Sequence, residues 1–432
     1  MSLSFLKHRE VKNAGWIIGV RVVQMLLSLL VSIFSARLLG PSNYGLVNYG
    51  ITYTTFFMSL CTLGINSVIV KNFVDYPEEK GKAIGTAIGL RLMSSTLSIG
   101  IIVLISCFLD RGEPETIIVV ALCAVCLVFH AFDIIAFHFQ SLYQSKYSSI
   151  VALIGYIAAS AYKIVLLLLG KSVRWFALAT SVDYIVIAIL LLSVYKWKGG
   201  PKLSFSWKKA RELLSKSYHY ILSGAMVAIY GQVDKLMLKH MVDKTAVGYY
   251  SIAVSVSNMW VFVLAAIIDS MYPTILQLYK EDKKQFERKN RQLYGIVFYV
   301  SIGVSTILTV FGRFAILILY GKDYLPSSGA LAVVTWYTAF SYLGVARNAW
   351  LVCENKQKYL KYTYAAAAVL NVVLNLLLIP LWGAMGAGLA SLITQLFTSI
   401  VIPAMIPDLR PNVRLMLQAI ALKDWLPKRN KD

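Results

Sequence analysis

The chain has 432 residues, 58% of them hydrophobic and only 15% charged, with a formal net charge of +21 at pH 7. A soluble domain carries roughly 45–50% apolar and about 25% charged residues, so this composition excludes a water-soluble protein and fits an integral membrane one. The basic excess does not point to nucleic acid, because the Lys and Arg residues cluster in short loops between apolar runs, as the positive-inside rule requires.

Lys7 to Lys12 lead into a long apolar run without a small-residue cleavage site, so the first helix is expected to stay as an anchor. At about 20 apolar residues per span, twelve helices are expected. They are 14–36, 46–70, 83–109, 117–139, 149–170, 174–195, 218–238, 247–272, 292–319, 327–353, 362–380 and 384–406. The eighth is expected to continue past Pro273 and leave the membrane as a helix. Of the 42 Lys and Arg residues, 29 fall on the side of the N-terminus and 7 on the opposite side. Both termini are therefore expected in the cytoplasm.

The longest internal break, 196–217, opens with Gly199-Gly200-Pro201 and becomes basic and amphipathic. It reads as an interfacial helix on anionic lipid. The expected plan is an N-terminal six-helix lobe over 1–195, the basic cytoplasmic linker 196–217, a C-terminal six-helix lobe over 218–406 and a cytoplasmic tail over 407–432. The outer loops are too short to hold an extracytoplasmic catalytic domain, so no enzyme is expected.

The second half repeats the first at an offset of 203 residues. Gly248 matches Gly45, Ser251 matches Asn48, Ser255 matches Thr52, Asn258 matches Thr55 and Asp269 matches Asn66. Polar residues fall opposite polar residues without gaps, a period the size of half a transporter. The stretch opening the second half places His219, Tyr220, Ser223, Tyr230, Gly231 and Asp234 on one helical face.

Arg21, Gln24, Ser28, Ser32 and Ser35 form a polar stripe on the first helix, and Asn48, Thr52, Thr55, Ser59, Thr62 and Asn66 continue it on the second. Ser and Thr also serve tight helix packing, but Arg21 deep in a span points to a water-filled lumen. Arg91 and Lys163 are two further deep cations, and Arg91 shares a face with Ser94, Ser95 and Ser98. Arg and Lys are the usual ligands of phosphate, so the candidate cavity residues are Arg21, Gln24, Asn66, Arg91, Lys163 and Asn258. Lys235, Arg313 and Arg347 lie near span ends and are expected to snorkel.

The intramembrane carboxylates Asp133, Asp183, Asp234 and Asp269 are the ion-coupling candidates. His130, Asp133 and His138 suit either a proton relay or a satisfied network. Cys123 and Cys126 form a C-x-x-C inside an apolar helix, where packing is the expected role. No phosphate-binding loop occurs in the sequence, and neither a cofactor nor a metal is expected.

The chain resembles the polysaccharide repeat-unit (O-antigen, Wzx-type) flippases of the multidrug/oligosaccharidyl-lipid/polysaccharide exporter superfamily. The resemblance covers about residues 12 to 406. It rests on SARLLGPSNYGLVNYG at 35–50, VGYYSIAVSVSNMW at 247–260, YPTILQLYKEDKKQFERKNRQ at 272–292, GKDYLPSSGAL at 321–331 and NVVLNLLLIPLWGAMGAGLASLITQ at 371–395. It implies an all-α polytopic membrane protein of about twelve transmembrane helices, in two six-helix lobes around a central cavity that opens alternately to each side. The implied cargo is an undecaprenyl-diphosphate-linked oligosaccharide in the plasma membrane of a bacterium, with membrane lipids and other polysaccharide-assembly proteins as partners. Two alternatives share the fold: a cation-coupled multidrug-type exporter and a peptidoglycan lipid-precursor flippase.

Overall fold

A computed structural model describes the backbone of residues 3–422, and the side chains of residues 19–422 apart from 21, 22, 222, 223 and 230. Among these residues all regular structure is helical. In chain order the α-helices are α1 (Leu3–Cys61), α2 (Asn66–Asp75), α3 (Lys80–Leu109), α4 (Pro114–Ala124), α5 (Cys126–His130), α6 (Ile134–Ser141), α7 (Ser145–Leu168), α8 (Val173–Ala177), α9 (Ala179–Trp197) and α10 (Trp207–Met241). They continue as α11 (Lys244–Asn258), α12 (Val261–Glu281), α13 (Lys283–Tyr320), α14 (Ser327–Cys353), α15 (Leu360–Leu396), α16 (Ile402–Met405) and α17 (Arg410–Ile420). The chain divides into two compact units, Met1–Gln232 and Val233–Asp432, and the division falls inside α10.

The polarity of these helices is inverted relative to a soluble protein. On α3, Met93, Leu97, Leu104 and Phe108 are exposed, while Arg91, Ser95, Ser98 and Ser106 are buried. A helix that turns apolar side chains outward and polar ones inward is stable in hydrocarbon, where each polar group needs an internal partner. Ser95 Oγ donates to the Leu127 carbonyl at 2.9 Å and Ser106 Oγ donates to Asp110 at 3.0 Å. Among the described residues nine helical stretches are long and apolar enough to cross a membrane.

Two of those stretches double back. At Gly40 the backbone leaves helical geometry with φ at +72°, and Ser32 Oγ meets Tyr44 OH at 2.9 Å. Twelve residues of straight helix would hold that pair about 18 Å apart, so the chain reverses and the expected spans 14–36 and 46–70 are arms of one hairpin. Gly383, with φ at +53°, makes a second hairpin within α15, in which Asn371 Nδ2 reaches Thr394 Oγ1 at 3.4 Å. Gly386 packs directly on the Leu378 backbone, where no side chain fits.

The expected unbroken helix 46–70 is interrupted between α1 and α2. Leu63 and Gly64 both adopt positive φ, and a Cβ on Gly64 would lie 2.6 Å from the Ser217 carbonyl. Close approach of α10 thus forces the break. In the second half the helix breaks instead at Met259–Trp260, between α11 and α12, so the two interruptions fall at different points of the repeat. α12 does continue through Pro273 to Glu281.

Residues 200–206 run as a non-helical strap along α3. There Gly81, Gly85 and Gly89 recur every four residues on one helical face, and such small-residue faces let backbones approach closely. A Cβ on Gly85 would lie 2.6 Å from the Ser204 backbone, and one on Gly89 would lie 2.7 Å from the Phe205 ring. Gly81 touches the Lys202 carbonyl more closely still. Tyr195 OH donates to the Pro201 carbonyl at 2.6 Å and the Ser206 N–H to Thr86 Oγ1 at 3.1 Å.

The basic run after the strap is the start of α10, which continues without interruption to Met241. Lys209 pins that start. Its side chain is 3% exposed, with Nζ 2.8 Å from Glu79, 3.1 Å from Glu212 and 4.9 Å above the Tyr76 ring.

Candidate functional site

The second unit builds a buried polar centre around Asp234, which is 4% exposed. α10 supplies Asp234, α11 supplies Tyr250, and the two arms of the α15 hairpin supply Asn375 and Ser391. Asn375 Nδ2 donates to Asp234 Oδ1 at 2.7 Å, and Tyr250 OH donates to Oδ2 at 2.7 Å. Ser391 Oγ also donates to Oδ2. Asn375 Nδ2 reaches Asn371 Oδ1 at 3.1 Å as well. The hairpin makes this possible: Gly383 reverses the chain and sets Asn371 and Asn375 opposite Ser391 and Thr394.

Every group donating to Asp234 is neutral. One acceptor in the centre, Asn375 Oδ1, is buried and has no hydrogen-bond partner. An unsatisfied carbonyl beside a carboxylate and two hydroxyls is an oxygen-rich environment, which suits a proton or a hard cation. Sequence reasoning singled out Asp234 but missed Tyr250, Asn371, Asn375 and Ser391. A signal for two of them was present: Asn371 and Asn375 stand four residues apart in the otherwise apolar run NVVLNLLL, and amides in hydrocarbon need partners.

The first unit builds a different centre around Arg91, which is 1% exposed. Arg91 Nη2 donates to Asn66 Oδ1 at the start of α2. Its Nε and Nη1 are buried without a partner. Asp133 lies near enough to act on Arg91 electrostatically, and His130 Nε2 stands 3.9 Å from Asp133 Oδ2. His138 sits apart, packed against Phe73, Phe139 and Tyr195. The three residues of the expected His–Asp cluster therefore do not form one chain of contacts.

Of the other expected cavity residues, Gln24 donates to the Ala152 carbonyl at 2.9 Å, and Asn258 accepts from Tyr337 OH at 3.0 Å. Arg21 lies on α1, and its side chain is outside the described residues. Lys163 and Asp183 are half-buried electrostatic neighbours, and Gly155 packs against Asp183. Asp269 is exposed. Much of the hydroxyl stripe is self-satisfied: Thr52 donates to the Asn48 carbonyl and Thr55 to that of Ile51, both at 2.8 Å. Such back-bonding to the preceding turn is how Ser and Thr sit in a helix without another partner.

Arg347 corrects the expectation of snorkelling. It is 2% exposed, and Nη1 donates to the carbonyls of Thr398 and Ser399 at 3.3 and 3.5 Å. Residues Phe397–Val401 form a π-helical turn, whose wider winding turns carbonyls away from their α-helical partners. The guanidinium takes them.

The family described as "Polysaccharide biosynthesis protein" matches residues 11–279. The chain belongs to this family. A second family, MatE, matches residues 220–377, a stretch that contains Asp234, Tyr250, Asn371 and Asn375. The capsular polysaccharide biosynthesis protein CapF of Staphylococcus aureus is 24% identical over 399 residues, 88% of this chain and 94% of its own. The probable flippase AglR of Haloferax volcanii is 25% identical over 173 residues, 38% of this chain and 35% of its own. Among solved structures, the lipid II flippase MurJ in an inward closed conformation superposes with a TM-score of 0.69 at 16% identity, over 95% of this chain and 93% of that one. An inward-facing multidrug resistance MATE family transporter gives 0.67 at 16% identity, over 93% and 96%.

Family membership, the candidate spans and the shared fold make this a multi-pass membrane protein. The relatives carrying a named activity are transporters and flippases rather than enzymes.

Proposed function

We propose that this protein is a flippase that moves undecaprenyl-diphosphate-linked oligosaccharide repeat units from the cytoplasmic to the outer leaflet, for surface polysaccharide biosynthesis. The twelve-helix plan, with both termini in the cytoplasm of a bacterial inner membrane, goes with this reading, as does alternating access between lobes 1–195 and 218–406. The basic segments 196–217 and 407–432 then lie on the cytoplasmic side. The observation that carries the mechanism is the Asp234 centre: a buried carboxylate among neutral donors, beside an unsatisfied carbonyl. A proton or monovalent cation entering there would neutralise Asp234 and change which packing of α10 against the α15 hairpin is favoured. Differential binding to two arrangements is what couples an ion to movement. Arg91, Lys163, Arg21, Gln24, Asn66 and Asn258 are assigned to the cargo, with the cations for its diphosphate.

Deletion of the gene, with complementation by wild type, tests the reading. Loss of surface polysaccharide and build-up of lipid-linked repeat units in the cytoplasmic leaflet are expected. Surface polysaccharide at the parental level in the deletion strain would sink it. The MatE match over the Asp234 region favours a second reading, a cation-coupled multidrug-type exporter. That reading predicts instead that the deletion strain becomes sensitive to cationic drugs with its surface polysaccharide intact.

A further inference from the structure

A cavity of about 860 Å³ opens in the second unit, away from the Asp234 centre. The start of α13, the end of α14 and the segment from Pro407 through α17 wall it. Eight charged side chains line it, five of them basic. Each of the three carboxylates has a basic neighbour of its own: Glu354 lies 3.4 Å from Lys283, Asp408 lies 2.7 Å from Lys356, and Glu287 lies 3.8 Å from Arg291.

Two arginines are left over, Arg410 and Arg414, four residues apart on one face of α17. Arg410 spends Nε on the Ala404 carbonyl at 3.0 Å, which leaves its terminal nitrogens for another partner. Arg414 has no ion-pair or hydrogen-bond partner among the described residues. Phe286, Trp350 and Leu415, all buried, pack beneath them as the floor of the cavity.

We propose that this cavity binds a phosphate group, held by Arg410 and Arg414. Guanidinium groups bind phosphate through paired, charge-assisted hydrogen bonds, and the residual double positive charge of the cavity calls for an anion of that kind. The phosphate comes either from the headgroup of an anionic phospholipid or from a soluble phosphorylated molecule. The site is separate from cargo movement, so its occupancy can be measured whether or not the flippase reading holds.

The test uses the full chain in detergent, with bound ligand counted by native mass spectrometry. Phosphatidylglycerol and phosphatidylcholine are the lipid probes, and pyrophosphate is the soluble one. Wild type is expected to retain one phosphatidylglycerol more firmly than phosphatidylcholine. Arg414→Ala should weaken that binding by about tenfold, the loss of one charge-assisted contact. Arg414→Lys should restore part of it, and Lys284→Ala, an exposed cation of the same region outside the cavity, should change nothing. Arg414 is exposed and has no partner among the described residues, so its removal is expected to leave folding intact; equal melting temperatures check this. Pyrophosphate binding with the same dependence on Arg414, and no preference for phosphatidylglycerol, assigns the site to a soluble phosphate. Binding of both probes unchanged in Arg414→Ala and in the Arg410→Ala/Arg414→Ala double variant overturns the proposal.

Discussion

Each unit buries a charged side chain, and the two are treated in opposite ways. Asp234 has both carboxylate oxygens occupied by neutral donors, which leaves a spare acceptor, Asn375 Oδ1, beside it. Arg91 has one bond, to Asn66, and two buried nitrogens with nothing to bond. An acid surrounded by hydroxyls and amides has donors for both oxygens and can also accept a cation. A guanidinium with idle donors is costly as it stands and gains most from an anion that arrives. On the proposed reading the difference divides the labour: the second unit would hold the ion-coupling residue, and the first a group for phosphate or for Asp133.

The largest effect should come from Asp234→Asn. It keeps the side-chain shape, removes the charge and turns one of the two accepting oxygens into a donor, so cargo binding is expected to survive while flipping falls to background in reconstituted vesicles. Full flipping by this variant would end the assignment of coupling to Asp234. Asp234→Leu adds a stability readout. It removes the acceptor shared by Tyr250, Ser391 and Asn375, and each donor left buried without another partner costs about 1–3 kcal/mol. A clear drop in melting temperature is expected.

Arg91→Met is the matching experiment in the first unit, and there the two readouts should separate. Removing a buried charge that has one hydrogen bond and two partnerless nitrogens relieves its desolvation cost and gives up little bonding. Melting temperature should therefore hold or rise while export of lipid-linked sugar fails. A melting temperature that falls as far as in Asp234→Leu would show that Arg91 is structural, and the contrast between the units would collapse.

Much of this was legible in the sequence, for physical reasons. Apolar runs of span length, and Lys and Arg gathered in loops, reveal a membrane chain because hydrocarbon forbids the alternatives. Arg91 and Asp234 stood out because charges there are rare. Their partners were harder to read. Asn375 and Ser391 meet Asp234 only because Gly383 reverses α15, and nothing in the local pattern says which residues a reversal will pair. The helix break at Leu63–Gly64 was hidden for the same reason: its cause, the Ser217 carbonyl, lies far along the chain. Arg347 looked free to snorkel because the π-turn at Phe397–Val401, which supplies its carbonyls, has no clear signature in FTSIV.

Arg347→Met probes a middle case, a buried cation held by carbonyls. Its loss frees two acceptors of a turn already outside α-helical geometry, a cost of about 1–3 kcal/mol. The melting temperature should fall between those of the two other variants, with part of the transport kept. Loss as severe as that in Asp234→Asn would add a third member to the functional centres.

The smallest effect belongs to the charged cluster outside the apolar spans, which serves as the control for both centres. Hydrogen bonding to Lys209 holds the Glu79 carboxyl below its ordinary value, and hydrogen bonding to Lys216 and then Lys209 does the same for Glu212. Burial works against the charge on Lys209, but its bonds to Glu79 and Glu212 outweigh that and raise its pKa. The signs fix a window. The depressed carboxylates contribute in full above their ordinary value of about 4.5 and lose that contribution as pH falls through their lower folded values. The raised lysine contributes in full below about 10.5 and loses it as pH climbs past its higher folded value. Between those limits the strap should stay docked on Gly81, Gly85 and Gly89. A Ser204→Cys variant, labelled with a thiol reagent whose rate is corrected against a free-cysteine standard, should react slowly and evenly from about pH 5 to 9. Faster labelling is expected only toward the acid and alkaline ends. Lys209→Ala should raise labelling across the whole window while leaving flipping close to wild type, since neither Asp234 nor Arg91 touches it. Transport lost together with strap docking would mean that the first unit works through its strap as well as through Arg91.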